Sequence, residues 1–387
     1  MKTLLRTTVN TAFVLSICAA ASAQHYKETK LVANTSGVAE VADPQLVNSW
    51  GLARTSGSAW WSSDNKTGFA TLYNGPGVKQ SLVVTIPPAD PTNKQTPIGS
   101  PTGVISNSSL TDFLLAPGKP ADFIFVTADG TIAAWNPNIA LAQGAAPPST
   151  HAVTVVKTSD GSVYTGLTTG FVENKQYLYA ANFGKGRVDV YDNAFHPIDL
   201  SGEDEPFVDN YLPRNFVPFN VQNIGNNIVV TYALHQPGDH NETDGPGLGY
   251  VDIYSTKGSL LQRLEHGIWL NAPWGVALAP LDFGRFSHHL LVGQFAGGGT
   301  TESSGFIAAY DLATGKFDGL LQDASGATLA INGIWSLSPA NVAPSNADPD
   351  EAPAAEVYFT AGPNNRTGGL FGYLNAVSAD LTEGNDQ

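Results

Sequence analysis

A short phrase recurs six times along the chain, and this repeat restricts the possible fold more than any other feature of the sequence. In five of the copies a small or polar residue precedes Trp or Gly and an aliphatic residue then begins a strand-like run, and in the copy at 218–221 Phe and Asn stand before the aliphatic residue. The copies stand at residues 48–52 (NSWGL), 101–104 (PTGV), 165–167 (TGL), 218–221 (PFNV), 273–276 (PWGV) and 332–335 (NGIW). Their spacing of about 50 to 65 residues is typical of propeller blades with long loops. Six copies therefore indicate six units.

Further strand-like runs follow the phrase. Runs such as 123–126 (FIFV) and 228–231 (IVVT) are rich in β-branched and aromatic residues and predict central strands. Runs such as 249–254 (GYVDIY) alternate after a glycine and predict half-buried strands nearer an edge. The 40 Gly and 25 Pro of the 387 residues suit frequent turns and disfavour long helices. The sequence predicts an all-β fold, a six-bladed β-propeller, rather than a β-sandwich or a parallel α/β fold.

The last unit has no strand-like run after residue 377, so its blade lacks an outer strand. Residues 26–33 (YKETKLVA) alternate and precede the first phrase. We expect this N-terminal strand to complete the sixth blade and remove the open edge. The propeller then occupies residues 24–379 as a single domain, followed by a polar tail at 380–387.

The first 23 residues have the pattern of a signal peptide. Lys2 and Arg6 form a short basic region, residues 11–21 are apolar or small, and an A-x-A site ends at Ala23. We expect cleavage after Ala23 and export to the periplasm or the extracellular space. Two alternatives are a buried N-terminal helix and lipidation at Cys18, which the bulky residue before it disfavours.

Cleavage at this site would remove the single Cys and the single Met, which excludes thiol catalysis and Cys-ligated metals in the mature chain. The chain has 34 acidic and 19 basic residues, a net charge of −15, and no basic run. Nucleic acid is therefore not an expected partner. No later apolar run reaches the roughly 18 residues of a membrane span, so we expect no span in the mature chain, and we expect a monomer.

Four stretches together resemble an uncharacterised family of exported bacterial six-bladed propellers. They are residues 47–53 (VNSWGLA), 270–275 (LNAPWG), 333–335 (GIW) and 358–364 (YFTAGPN), and the likeness covers nearly the whole mature chain. The family is similar in fold to NHL-type and gluconolactonase-like propellers. Some members carry a C-terminal PEP-CTERM sorting tail, from which this sequence departs. The resemblance implies the propeller fold but no settled reaction.

Asparagines recur where the strands begin, at Asn48, Asn220, Asn271 and Asn332. There they would face or rim the central channel, where a ring of amide oxygens can hold a ligand or an ion. The alternative is that these side chains cap turns. A gluconolactonase-like hydrolase needs a divalent ion held by carboxylates, and the phrases contain no recurrent Asp or Glu.

An acidic loop at residues 235–245 (HQPGDHNETDG) is the richest cluster of possible ligands. Its Asp239, Asn241, Glu242 and Asp244 offer oxygen ligands for calcium, although their spacing does not fit the calcium-loop pattern. The alternative is a solvated acidic loop. The sequence indicates no definite cofactor, and calcium or another divalent ion is the candidate.

Tryptophans at Trp50, Trp274 and Trp335 repeat with the blades. They predict core packing between blades, with a carbohydrate-stacking platform as the alternative. Trp60 and Trp61 are adjacent in a strand, so we expect one of these rings to be less buried. His288 and His289 are also adjacent and, in an extended chain, do not share one metal ion.

The motifs of serine hydrolases, zinc peptidases, kinases and dinucleotide-binding enzymes are absent from the sequence. We predict a binding module whose channel mouth and long loops take a small molecule, a glycan or an exported protein. The alternative is a metal-dependent lactonase or ester hydrolase that uses the four asparagines as ion ligands and a loop carboxylate as base. A third hypothesis is a structural extracellular protein with Pro- and Ala-rich insertions at 88–99, 137–149 and 343–355.

Overall fold

The structure is a computed structural model that describes residues 25–199, 206–239, 241–295, 305–340 and 355–377. The predicted signal peptide, the predicted tail and most of the 343–355 insertion lie outside these residues. The described strands form six sheets, arranged as the blades of a propeller, and one small hairpin. The fold class predicted from the sixfold phrase is confirmed.

The strands follow one another blade by blade along the chain. The first two are β1 (Tyr26–Ala33) and β2 (Val41–Ala42). Blade one contains β3 (Ser49–Ala53), β4 (Trp60–Asp64), β5 (Phe69–Tyr73) and β6 (Lys79–Thr85). Blade two begins with β7 (Pro101–Ser106), continues through the hairpin β8 (Leu114–Ala116) and β9 (Lys119–Pro120), and ends with β10 (Phe123–Thr127), β11 (Thr131–Trp135) and β12 (Val153–Lys157).

The remaining blades complete the ring. Blade three contains β13 (Tyr164–Val172), β14 (Lys175–Asn182) and β15 (Arg187–Tyr191), and blade four contains β16 (Phe216–Ile224), β17 (Asn227–Leu234), β18 (Gly249–Ser255) and β19 (Leu260–Arg263). Blade five contains β20 (Pro273–Leu278), a 3₁₀ turn (Gly284–Phe286), β21 (Leu290–Gln294), β22 (Ile307–Tyr310) and β23 (Phe317–Leu320). Blade six contains β24 (Ile334–Pro339), β25 (Val357–Ala361), a single helical turn (Pro363–Arg366) and β26 (Leu370–Ala376).

Each recurrent phrase lies in or directly before the first strand of its blade, and these six strands surround the central channel. Neighbouring strands within each blade are antiparallel, except that β2 pairs in parallel with β1 at the outer edge of blade six. In blade six the order is β24-β25-β26-β1, and β1 pairs with β26 so that Tyr26 faces Ala376. The hydroxyl of Tyr26 also donates to the carbonyl of Phe283 in blade five, at 3.0 Å. The predicted closure by residues 26–33 is therefore confirmed.

Hydrophobic clusters between adjacent blades hold the ring together, and a further cluster surrounds its axis. Trp60 and Trp61 illustrate this packing, because they are only 1% and 2% exposed. Trp60 packs on Tyr358 of blade six, at 4.6 Å between ring centroids, and Trp61 stacks on Phe123 of blade two at 4.1 Å. The expectation that one ring is less buried is wrong, because neighbouring blades cover both faces of this strand.

The glycine in the phrase marks the closest approach of neighbouring inner strands. A Cβ atom on Gly51 would lie 2.6 Å from the carbonyl oxygen of Thr102 in the next inner strand, too close for any real contact. A Cβ atom on Gly103 would lie 2.7 Å from the side chain of Leu167 and 3.1 Å from the backbone of Gly166 in the following blade. The phrase thus repeats because six strands converge on one axis. Within the part of the chain that the structure describes, no helix is long and apolar enough to cross a membrane.

Candidate functional site

The central channel has two different ends. We call the end at which the inner strands finish the cavity end; its strands finish at Ala53, Ser106, Val172, Ile224, Leu278 and Pro339. We call the opposite end, where the inner strands begin, the tryptophan end. All six inner strands contribute residues to the cavity end, and the order of residues within each strand determines which side chains appear at which end.

A cavity of about 590 Å³ occupies the cavity end and is lined by residues of all six inner strands. This volume lies in the range of small-molecule sites. Leu52, Val104, Leu167, Val276 and Leu337 form much of its apolar wall. Four of these residues, Leu52, Val104, Leu167 and Val276, are the aliphatic residues of their recurrent phrases, whereas Leu337 follows the sixth phrase.

Amides and hydroxyls form the polar part of the cavity wall. Gln222, Asn223, Thr169 and Ser338 line the cavity and are half-buried. The side-chain amide of Asn223 donates to the carbonyl of Thr169 at 2.6 Å, which fixes its orientation. These groups donate and accept hydrogen bonds without carrying charge.

Arg54 is the one charged residue among the residues that line the cavity. Its guanidinium lies 4.5 Å from the centroid of the Trp60 ring, and its Nη2 donates to the carbonyl of Ala340 at 3.4 Å. The ring and the carbonyl hold the cation in place at the cavity wall. A site of amides, hydroxyls and one guanidinium is suited to a neutral or anionic ligand.

A layer of aromatic rings fills the tryptophan end and forms the floor of the cavity. Trp50 stacks on Trp335 at 3.6 Å between ring centroids, and Trp274 meets Trp335 edge-on at 5.9 Å. These three rings are at most 6% exposed, and Phe219 and Phe295 pack beside them. Trp274 also lines the cavity. In the structure the repeated tryptophans therefore pack in the core around the axis.

Asn48 and Asn220, two of the four predicted channel asparagines, are buried beside this aromatic layer. Asn48 accepts a hydrogen bond from the indole of Trp335 at 2.9 Å and donates to the side chain of Asn65 at 3.1 Å. Asn220 donates to the carbonyl of Trp274 at 2.7 Å. Among the four asparagines, only Asn220 lines the described cavity.

Asn271 and Asn332 each bind the backbone of a loop. The side-chain oxygen of Asn271 accepts from the amide of Gly245 at 2.7 Å, and that of Asn332 accepts from the amide of Asn364 at 3.2 Å. Each of the four amides is thus bound to its own neighbours within the protein. A role for them in holding a ligand or an ion stays a prediction.

The acidic loop is divided between solvent and the protein interior. Asp239 and Asn241 are exposed, Asp244 is half-buried, and the side chain of Glu242 is 3% exposed in an ion pair with Arg366. In the described residues no three His, Asp or Glu side chains lie close enough together to hold a metal ion. His289 binds Asp318 at 3.0 Å, and His288 is exposed. The calcium site at this loop stays a prediction.

Arg366 reaches the tryptophan end from an unusual backbone turn. Asn364, Asn365 and Arg366 have φ values of 55°, 54° and 64°, three consecutive residues in the left-handed region. This conformation costs an ordinary residue about 1–2 kcal/mol and is less unfavourable for Asn. It places the guanidinium 4.7 Å from the ring centroid of Phe295 and 5.6 Å from that of Trp335. Partial burial and the charge of Arg366 lower the pKa of Lys66.

Two buried carboxyls that lie away from the cavity have raised pKa values. Asp64 accepts hydrogen bonds from Ser62 at 2.8 Å and Thr71 at 2.7 Å, and burial raises its pKa well above the usual range. In blade four, burial and the negative charge of Asp209 raise the pKa of Asp252 to about 7. We infer that these groups shape the pH dependence of stability rather than the chemistry of the cavity.

Sequence reasoning missed the polar residues that the structure brings into the cavity wall. Arg54 stands two residues after the end of the first recurrent phrase, and Gln222 and Asn223 stand directly after the fourth. Arg366 was missed as well, although it follows the Gly-Pro-Asn stretch of the sixth unit. The sequence signal that could have identified them is a polar residue shortly after a recurrent phrase, near the end of the inner strand.

The chain is similar to two uncharacterised proteins of Acanthamoeba polyphaga mimivirus. One is 28% identical over 360 residues, covering 90% of this chain and 85% of the relative. The other is 30% identical over 251 residues, covering 63% of this chain and 43% of the relative. No protein-family model matches the sequence. Neither relative has an established activity to compare with the cavity.

Among solved structures, the chain is similar to a glucose dehydrogenase, with a TM-score of 0.50 and 12% identity. The match covers 89% of this chain and 98% of the dehydrogenase. At this identity the likeness shows the fold alone. It agrees with the six-bladed propeller, which is therefore established for this chain independently of any activity.

Proposed function

We propose that the protein is a ligand-binding propeller and that its site is the cavity at the cavity end of the channel. The ligand class is a small neutral or anionic organic molecule with an apolar body. The observation that supports this proposal is the cavity wall itself, in which aliphatic side chains from six blades surround amides, hydroxyls and one guanidinium. Such a wall binds an apolar body by burial and orients it through a few hydrogen bonds.

The hydrolase hypothesis requires a different set of groups. A metal-dependent lactonase holds a divalent ion with oxygen ligands, including at least one carboxylate. The described residues that line the cavity offer amide and hydroxyl oxygens, together with the positive charge of Arg54, which repels a cation. Replacing Asn220 and Asn271 together by Ala tests this alternative. The binding proposal expects unchanged affinity for divalent cations, whereas the hydrolase hypothesis expects its loss.

A screen for compounds that raise the melting temperature tests the binding proposal, because a ligand that binds only the folded state stabilises it. Thr169→Trp places a large ring in the cavity, at a half-buried position of its wall. Ser81→Trp is the matched control, because it introduces the same ring at an exposed position of the outer strand β6. Titration calorimetry then compares the strongest ligand on the three proteins.

We expect the wild type and Ser81→Trp to bind alike and Thr169→Trp to bind at least tenfold more weakly, with an unchanged urea midpoint. Ser338→Trp, on another blade, replaces Thr169→Trp if that variant does not fold. Full affinity in a folded variant with a filled cavity would contradict the proposal. A screen of neutral and anionic compounds that yields no ligand would also contradict it.

We propose that the chain acts after export, in the periplasm or outside the cell. The support is the order of basic residues, apolar run and A-x-A site within residues 1–23. N-terminal sequencing of the protein recovered from an exported fraction tests this location. A first residue of Gln24 is the expected result, and recovery of the intact chain from the cytoplasm would contradict it.

A further inference from the structure

The ion pair between Arg366 and Glu242 at the tryptophan end engages only one of the two donors on one edge of the guanidinium. Nη2 of Arg366 donates to Glu242, while Nε is buried and has no hydrogen-bond partner among the described residues. Nε and Nη2 point in the same direction and together form the edge that grips a carboxylate with two hydrogen bonds. Glu242 therefore occupies half of a two-donor site.

Another arginine of the same protein shows the complete arrangement. Arg263 donates from Nε and from Nη2 to the two carboxylate oxygens of Asp209, at 2.5 and 2.7 Å. The side chain of Arg263 is 47% exposed, whereas that of Arg366 is 11% exposed. The more deeply buried guanidinium thus has the poorer partner, although an unpaired donor is less favourable where water is excluded.

The surroundings of Arg366 favour an anion. Burial, together with the charge of the nearby Arg366, lowers the pKa of the Lys66 ammonium group, which is a second cation close to this site. The rings of Phe295 and Trp335 lie against the guanidinium, with their centroids 4.7 and 5.6 Å from it, and the edge formed by Nε and Nη2 is the part that a carboxylate can engage with two hydrogen bonds. Three left-handed residues hold Arg366 in this position, which a simple surface ion pair does not require.

The side chain of Glu242 is able to rotate away from Arg366 while the backbone beside it stays in place. The next residue, Thr243, donates from its backbone to the carbonyl of Leu234 at 2.8 Å, and the amide of Gly245 binds Asn271 at 2.7 Å. The backbone beside Glu242 is therefore fixed on one side, and rotation of the side chain is enough to withdraw its carboxylate. A ligand carboxylate entering in its place would engage both Nε and Nη2.

We propose that Arg366 is the anchor of a second binding site, for a small organic carboxylate, and that Glu242 is an internal carboxylate that such a ligand displaces. The site lies at the tryptophan end, across the aromatic layer from the cavity, and does not depend on the function proposed for the cavity. Arg366 binds the ligand in the edge-on, two-donor geometry that Arg263 shows. Because a ligand must displace the carboxylate of Glu242, this residue lowers the affinity of the site for its ligand.

Benzoate is the probe, because it combines a carboxylate with a compact apolar body, and the tryptophan fluorescence reports binding through the rings below Arg366. Glu242→Gln removes the competing charge and keeps the shape of the side chain. Glu265→Gln is the matched control, because it makes the same charge change in an exposed ion pair with Lys316. Titrations at constant ionic strength compare these variants with the wild type.

We expect Glu242→Gln to bind benzoate at least tenfold more tightly than the wild type and Glu265→Gln to behave as the wild type. Adding Arg366→Lys to Glu242→Gln keeps the charge but removes the two-donor edge, and should reverse the gain. If Glu242→Gln does not fold, the test is a saturable fluorescence change in the wild type that Arg366→Lys abolishes.

Three results would overturn the proposal. Equal benzoate affinity in folded Glu242→Gln and Glu265→Gln would show that Glu242 does not guard a site. Tight binding of inorganic phosphate without binding of benzoate would show that the site is not built for carboxylates. Loss of benzoate binding in Thr169→Trp, which fills the cavity at the other end, would place the benzoate in the cavity and leave the cavity proposal standing alone.

Discussion

The two ends of the channel are built from the same six strands and differ in almost every other respect. At the tryptophan end, rings that are at most 6% exposed stack on one another, and the buried amides of Asn48 and Asn220 bind within the protein. At the cavity end, half-buried polar residues such as Gln222 and Thr169 surround open space. The aromatic layer packs the axis of the ring, whereas the polar residues at the cavity end line the space in which we propose that a ligand binds.

Truncation at the tryptophan end tests this difference with the largest expected effect. Trp335→Ala removes a fully buried ring that contacts Trp50, Trp274 and Phe295, and should lower the free energy of unfolding by about 3–5 kcal/mol. Thr169→Ala at the cavity end should change it by about 0.5 kcal/mol or less. Urea denaturation measures both. Similar losses at the two positions would contradict the division between the ends.

The pH dependence of stability should come from buried carboxyls such as Asp252 in blade four and Asp64 in blade one rather than from the cavity, whose described lining residues include no carboxyl or imidazole group. Asp252 has a pKa of about 7 in the folded protein and about 4 when unfolded, so its stabilising contribution is complete below pH 4 and is lost as the pH rises to 7. The loss amounts to at most about 4 kcal/mol, since each pKa unit corresponds to about 1.4 kcal/mol.

Urea denaturation between pH 4 and pH 8 measures this slope. Asp252→Asn keeps the hydrogen-bonding shape of the protonated acid and should flatten the profile over that interval. Gln222→Ala, in the cavity wall, is the control and should leave the slope unchanged. An unaltered slope in Asp252→Asn would show that another group, such as Asp64, dominates the titration.

Asn48→Ala sharpens the comparison within the tryptophan end. The substitution leaves the Trp335 indole and Asn65 without their partner, and puts Ala at a φ of 51°. We expect a loss of about 2–4 kcal/mol, combining unpaired buried groups with backbone strain. Asn48→Asp is a useful companion, because it keeps the acceptor for Trp335 but loses the donor to Asn65. If thermal and urea unfolding show the same stability for Asn48→Ala as for the wild type, the aromatic layer does not need the amide.

Among the predictions at charged and amide residues, the effect on stability is smallest at Arg54. Arg54→Gln removes the contact with the Trp60 ring and should lower the free energy of unfolding by about 1 kcal/mol or less. Its effect on ligands should be selective, with anionic ligands of the cavity weakened tenfold or more and neutral ones little changed. Calorimetric titration of a matched acid and amide measures this selectivity. Equal weakening of both would remove Arg54 from the role of anion anchor.

The sequence predicted the ring of blades well because the recurring phrase and the closing strand are local patterns. The phrase at residues 273–276 reads as a strand without knowledge of its neighbours, and residues 26–33 alternate as an edge strand does. The hydrogen bonds of the asparagines depend instead on partners that are distant in the sequence, since Asn48 accepts a hydrogen bond from the indole of Trp335, 287 residues away. The sequence could not show these partners, and a role of the asparagines in holding a ligand stays a prediction.

The polar part of the cavity wall was harder to predict because its residues do not repeat from blade to blade. The aliphatic residue of each phrase recurs and was recognised, but Arg54, Gln222 and Asn223 occur once each, on different blades. Only the closure of the ring brings them around one space. Trp60 and Trp61 show the converse, because adjacent residues on one strand are both buried once two neighbouring blades cover that strand.

Titration of the strongest cavity ligand before and after chelation, with elemental analysis of the same protein purified without chelator or added metal, tests the central claim most directly. A cavity that binds through apolar contacts, amides and Arg54 predicts the same affinity and the same melting temperature in both titrations. A stoichiometric divalent ion, whose removal lowers the melting temperature and abolishes ligand binding, would contradict the claim and establish a metal-dependent site instead.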